Sequence, residues 1–193
     1  MLTDVFNDIY RRNLWKSEES RSGRGAEFAA TENVRQMLPV LIDFLSITSI
    51  LDASCGDFNW MQHMNLEIPY YGCDIVQELV DQNNARYGNP NRHFVQADIT
   101  HDQLQNVNLI LCRCTLYHLS FKDIFAVLSN FRKNTARYLL LTNMPKVNMN
   151  TDIKSGGYRR LNLDLEPFNL GPIMFYFWDA PGTNEVLALY RNK

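Results

Sequence analysis

Three aspartates stand at matching places in this chain, each closing a short apolar run: Leu51-Asp52, Gly72-Cys73-Asp74 and Gln96-Ala97-Asp98-Ile99. In an open α/β sheet, ligands gather at the carboxyl ends of the strands. The first run continues as Ala53-Ser54-Cys55-Gly56-Asp57, where small residues let backbone come close to a ligand. Backbone N–H groups at the start of a following helix can hold an anionic group such as a carboxylate. A carboxylate at Asp74, with Ile75 beside it, can accept both hydroxyls of a ribose. One at Asp98 can accept an adenine amino group while Ile99 packs on the ring. A single Asp after a strand is ordinarily a helix cap or turn former. Three in succession behind a small-residue turn favour an adenosine-type ligand.

The fourth run ends in Leu111-Cys112-Arg113-Cys114 and is followed by Tyr117-His118. His118, of a residue type that can titrate near neutral pH, is the candidate general base; the alternative is a structural histidine satisfied by backbone. Tyr117 can bond or stack a substrate, or pack in the core. Arg113 can hold an acidic substrate or pair with Asp98. Arg159 and Arg160 suit planar recognition of carboxylate or phosphate, against a default of solvated loop. His63, His93 and His101 are scattered without ligand spacing and no C-x-x-C occurs, so no metal site is expected.

A dinucleotide fold calls for G-x-G-x-x-G after its first strand, where backbone meets a pyrophosphate. The turn Ser54-Cys55-Gly56-Asp57-Phe58 lacks two of those glycines, and Asp57 would repel a pyrophosphate. A Walker A sequence is absent as well. S-adenosylmethionine carries no phosphate and suits this turn better.

The elements that must position these residues follow from periodicity. Apolar runs at Ser49–Ala53, Tyr70–Asp74, His93–Ala97, Val107–Cys112 and Tyr138–Thr142 alternate with helical stretches at Asn59–Met64, Gln77–Tyr87 and Phe121–Phe131. That alternation predicts βαβ units and a mostly parallel sheet. Ile173–Trp178 and Glu185–Tyr190 flank Asp179-Ala-Pro-Gly-Thr-Asn184 and predict an antiparallel hairpin, for seven strands in a Rossmann-like, doubly wound α/β fold. Phe6, Ile9 and Tyr10 predict a short amphipathic helix. A second helix is predicted from about Glu27 to Leu45, kinked or divided at Pro39. A single domain results: N-terminal helices and a lid loop over 1–45, a cofactor-binding core over 49–143, an irregular substrate-side segment over 144–172 and the hairpin over 173–191.

The chain has 193 residues, enough for one domain with a full core, and a net charge of -2. That balance offers no field for a nucleic-acid backbone or an anionic membrane. No apolar run nears the about 18 residues of a membrane span, and no signal-peptide pattern is seen. Cys55, Cys73, Cys112 and Cys114 lie in or beside predicted strands and read as reduced thiols, which predicts a cytoplasmic protein.

From Ser49 to Tyr190 the chain resembles the class I S-adenosylmethionine-dependent methyltransferases. Within them it is similar to a bacterial small-molecule or sugar-type group. The resemblance is carried by Asn13-Leu14-Trp15 with Glu19-Ser20-Arg21-Ser22-Gly23, by Leu51-Asp52-Ala53-Ser54-Cys55-Gly56-Asp57-Phe58-Asn59-Trp60, by Leu109 to Arg113 with His118-Leu119-Ser120, and by Arg160-Leu161-Asn162-Leu163. It implies Asp52, Ser54 and Gly56 at the methionine end, Asp74 at the ribose, Asp98 and Ile99 at the adenine, and Cys112 and Arg113 under the ligand; Cys55, Asn59, Trp60 and Ile75 are expected as further cofactor contacts. It also implies Trp15 and Ser20 to Gly23, with Ser22 and Gly23 among the cofactor contacts, folded over the cofactor as a lid; Arg113, Cys114, Arg159 and Arg160 are the expected acceptor contacts. Ser54 and Phe58 stand where the broad family has glycine, and Cys114 where relatives carry an acid. The expected activity is methyl transfer to O or N of a small molecule or sugar-type acceptor. A cofactor-binding partner without turnover is the alternative.

Overall fold

The computed structural model describes residues 1–180 and 182–193, so Pro181 of the predicted hairpin turn lies outside the described residues. Seven strands form one sheet: β1 Ile50–Ala53, β2 Tyr70–Asp74, β3 Arg92–Gln96, β4 Leu109–Cys112, β5 Tyr138–Asn143, β6 Phe175–Trp178 and β7 Val186–Arg191. Their spatial order is β3-β2-β1-β4-β5-β7-β6. The first five run parallel; β7 enters antiparallel between β5 and β6. The mixed sheet is the expected one, with β6 as its outer edge.

The central strands are continuous apolar runs because both faces of the sheet are covered. In β4, Ile110 and Cys112 face one core while Leu109 and Leu111 face the other, and all four are sealed from solvent. The covering helices are α1 Leu2–Arg12, α2 Glu32–Phe44, α3 Gln77–Tyr87 and α4 Phe121–Arg132. Ser120 caps α4 by accepting from the Asp123 N–H. Helix α2 runs through Pro39 undivided, contrary to one sequence expectation. Pro39 faces solvent, where water can take up the carbonyl that its missing N–H leaves free. The helix predicted at Asn59–Met64 is reduced to a 3-10 turn at Met61–His63. Phe58 sits just before it at φ 58°, a left-handed conformation that an α-helix does not include.

Strand order reverses at β1: the chain proceeds to β2 and β3 on one side and to β4 and β5 on the other. A crevice opens at the carboxyl ends on either side of such a switch point. The register places Asp52 beside Gly72 on one flank and Leu111 on the other. Residues 144–172 contain no helix or strand but are firmly anchored. Leu161 and Leu163 are buried, Met144 donates to the Leu161 carbonyl, and Asn143 Oδ1 accepts from the Leu163 N–H at 2.7 Å. No helix among the described residues is long and apolar enough to cross a membrane.

Candidate functional site

One cleft opens at the switch point, enclosing about 1020 Å³ including its mouth. That is the upper end of the about 300–1,000 Å³ usual for small-molecule sites. Its floor comes from the strand ends, which bring together Asp52, Ser54, Cys55, Gly56, Asp74, Ile75, Asp98, Ile99 and Arg113; Trp60, Cys114 and His118 lie around them. Trp15 and Ser22 reach in from the N-terminal segment. Helix α1 adds Leu2, Phe6 and Tyr10, four residues apart and therefore on one helical face. The sequence reading marked that amphipathic face and did not assign it to a ligand.

The three carboxylates differ in their surroundings. Asp52 is buried and accepts from the Tyr70 hydroxyl at 2.7 Å. Burial pushes its carboxyl up to about 7, against the lowering effects of the Tyr70 hydrogen bond and the Arg113 charge. Asp74 is also pushed up by burial, opposed by backbone N–H groups. Its two oxygens accept from Gly56 N and Val76 N, each at 3.0 Å. Each oxygen keeps a second lone pair, so a diol can still be accepted. Asp98 Oδ1 is held by the N–H and hydroxyl of Thr100, and Oδ2 lies 3.6 Å from His101 Nε2.

His118 is half-buried, with its ring 5.1 Å from the ring of Trp15. Its Nδ1 lies 2.6 Å from the Gly157 carbonyl. A carbonyl only accepts, so Nδ1 carries the proton and Nε2 is the basic nitrogen of the neutral ring. Burial lowers its basicity, the Gly157 hydrogen bond opposes this, and Arg159 lowers it further.

Residues 16–26 form a strap over the cleft, and Asp57 is its main anchor. The Asp57 carboxylate accepts from Ser20 Oγ at 2.9 Å, Arg21 N at 2.7 Å and Ser22 Oγ at 3.0 Å, while its own N–H donates to Ser22 Oγ at 2.8 Å. Gly56, at φ 57°, permits this docking: a Cβ there would lie 2.0 Å from Ser22 Oγ. The small residue expected to admit a ligand thus also admits the strap. Ser54 adopts φ 74°, a left-handed conformation that favours glycine, without being one.

Six residues assigned to the site by sequence lie outside the cleft lining. Asn59 faces the strap, donating to Glu19 Oε1 at 2.6 Å and the Ala26 carbonyl at 2.9 Å. Gly23 is buried against Trp15, whose Cβ would stand 3.1 Å from a Cβ added there, so it seats that ring. Cys112 is fully buried in the core and does not line the cleft. Tyr117 packs edge-on against Tyr158 at 5.3 Å, and burial pushes its phenol well up. Arg159 turns inward to the Leu116 carbonyl at 3.1 Å, and burial lowers its guanidinium to about 10. Arg160 is exposed on the outer surface.

Asp179 was not foreseen. Only 1% exposed, it follows β6 and meets Arg113 Nε at 2.7 Å; Arg113 Nη1 donates to the Gly25 carbonyl at 2.8 Å. Arg113 therefore pairs with Asp179 and not with Asp98. Cys114, which replaces an acid by the family resemblance, has its thiol 3.7 Å from the other Asp179 oxygen. Asp179, Glu185 and Cys114 form a metal-like cluster, with ligand atoms within 4.8 Å of one another. Burial pushes the Cys114 thiol up, and the Arg113 guanidinium lies against the Asp179 carboxylate of the same cluster.

Residues 50–137 match a family described as a methyltransferase domain. No curated protein matches the chain in sequence. Among solved structures, the chain is similar to the N-methyltransferase NodS from Bradyrhizobium japonicum in complex with S-adenosyl-L-homocysteine, with TM-score 0.71 and 12% identity over 98% of this chain and 99% of that one. It is also similar to magnesium protoporphyrin IX methyltransferase from Synechocystis with bound SAM, with TM-score 0.64 and 16% identity over 100% and 98% of the two chains. At these identities the likeness establishes the fold.

Proposed function

We propose that a chain with this fold and a methyltransferase-domain match over residues 50–137 is an S-adenosylmethionine-dependent methyltransferase acting on O or N of a small-molecule or sugar-type acceptor. The observation that carries the reading is the convergence of Asp52, Asp74 and Asp98 on one crevice whose first turn lacks a pyrophosphate cradle. A crevice lined by carboxylates suits a cationic ligand. The two solved relatives, crystallised with S-adenosyl compounds, agree with the cofactor.

The residues fit the group. Asp74, with lone pairs left over from its backbone contacts, would hold the ribose hydroxyls. Asp98 and Ile99 would hold the adenine, with α1 as the outer wall. Asp52, Ser54 and Gly56 would hold the amino-acid end. When bound, S-adenosylmethionine supplies a methyl group on a sulfonium, already activated for displacement. The protein then has to align the acceptor and exclude water. Trp15 and the strap close the cleft. His118, neutral and with Nδ1 held by Gly157, offers Nε2 to take the acceptor's proton.

Calorimetric titration tests the cofactor: S-adenosylmethionine and S-adenosylhomocysteine should bind and NAD should not. Binding of NAD alone would refute the reading. Transfer of labelled methyl to extracts of the source organism tests turnover, and binding without transfer to any fraction would favour the non-catalytic alternative. His118→Ala should lower turnover by about 10²–10⁴-fold with cofactor affinity retained. Full turnover would remove His118 as the base.

A further inference from the structure

The Arg113–Asp179 pair joins three parts of the chain that are distant in sequence. Arg113 follows β4, Asp179 follows β6, and Gly25 lies in the strap. The pair is sealed, with side chains 5% and 1% exposed. Asp179 is itself fixed by its N–H, which donates to the Glu185 carbonyl at 2.9 Å. Arg113 is thereby aimed: one edge of the guanidinium meets the carboxylate while Nη1 points to the Gly25 carbonyl. Its plane also lies near Trp60, at 5.5 Å from the ring centre. A buried ion pair adds little stability over an apolar pair of equal volume. What an apolar pair cannot supply is a donor for Gly25.

We infer that Asp179 is a positioning residue for methyl transfer, orienting Arg113 so that it fastens the strap across the cleft. Its consequence for catalysis rests on the methyltransferase reading; the fastening does not. Beyond Ser22 the strap is held by side chains from outside it at two carbonyls, Arg113 at Gly25 and Asn59 at Ala26, and the first depends on a residue from the far end of the chain.

The test is the double variant Arg113→Met/Asp179→Leu, which removes both charges together and avoids leaving one unpaired in the interior. Its melting temperature should stay near that of the wild type. Its affinity for S-adenosylhomocysteine should fall about tenfold, as for loss of one charge-assisted hydrogen bond. In the ligand-free proteins, trypsin should cut the variant faster after Arg21 and Arg24, both exposed in the strap. A merely structural pair would give unchanged cleavage and unchanged affinity once stability is restored, and that result overturns the inference. If the double variant folds poorly, Asp179→Asn replaces it: it retains an acceptor for Arg113 without the charge and should show a smaller change in the same direction, with no change overturning the inference. Failure of the wild type to bind S-adenosylhomocysteine would refute the proposed function, while the ligand-free cleavage rates would still decide the role of Asp179.

Discussion

Gly56→Ala separates two reasons for having a glycine after the first strand. The new methyl would stand 2.0 Å from Ser22 Oγ and 2.8 Å from Ser22 Cβ, so the strap has to lift. Lifting it breaks the Ser22 hydroxyl's bonds with the Asp57 carboxylate and N–H, at 3.0 and 2.8 Å. At about 1 kcal/mol each, the loss is about 2 kcal/mol against strap closure. A non-glycine residue in the left-handed region, here φ 57°, costs a further ~1–2 kcal/mol of fold stability. The first effect should weaken S-adenosylhomocysteine binding roughly thirtyfold, and the second should lower the melting temperature. The decisive measurement is the cycle with Ser22→Gly. If the methyl meets only the strap, Gly56→Ala costs affinity in the wild-type background and almost none once Ser22 has lost its side chain. If Gly56 is needed for close approach of the ligand, the same factor is lost in both backgrounds. Additivity in calorimetric titrations would refute the strap explanation.

Further outcomes follow from two buried groups, Asp52 in the site and Phe58 in its supporting core. Asp52 has its carboxyl raised from 3.8 to about 7, so the native state holds a proton between those values that the unfolded chain has lost. The stability this contributes is fully present below 3.8 and is lost as pH rises through about 7. The melting temperature of the ligand-free wild type should therefore fall relative to Asp52→Asn across that window. A cationic cofactor draws out the charged form, so S-adenosylmethionine should release protons on binding near neutral pH, read from the buffer dependence of the binding enthalpy; a buffer-independent enthalpy would contradict this. Phe58 combines φ 58° with a buried ring packed edge-on to Tyr70 and Phe94 at 5.2 and 5.1 Å. Phe58→Ala should cost ~3–5 kcal/mol in urea unfolding. Phe58→Gly should cost ~1 kcal/mol less than Phe58→Ala, because glycine relieves the backbone strain; alanine proving the milder change would refute it.

The sheet was legible in the sequence because strands covered on both faces must be apolar throughout, as Leu109–Cys112 is, and because each run ends in a residue of different character. The carboxylates at Asp52, Asp74 and Asp98 could be placed because strand ends in an open parallel sheet face one crevice. Which neighbours of those residues serve a ligand and which serve the protein was not legible. Asp57 and Asn59 sit in the same short motif as Asp52 and Gly56, yet both hold the strap. Gly23 seats Trp15. Arg159 and Arg160 are adjacent in sequence and lie on opposite sides of the surface, since one guanidinium found a buried carbonyl and the other found water. Periodicity records which side of its own element a residue faces. It carries nothing about a partner 66 positions away, and that is the separation of Arg113 and Asp179. The chain by itself therefore determined the fold and the carboxylates that line the cleft. Only tertiary packing, which brings strap, fourth strand and hairpin to one point, decided how the cleft is closed.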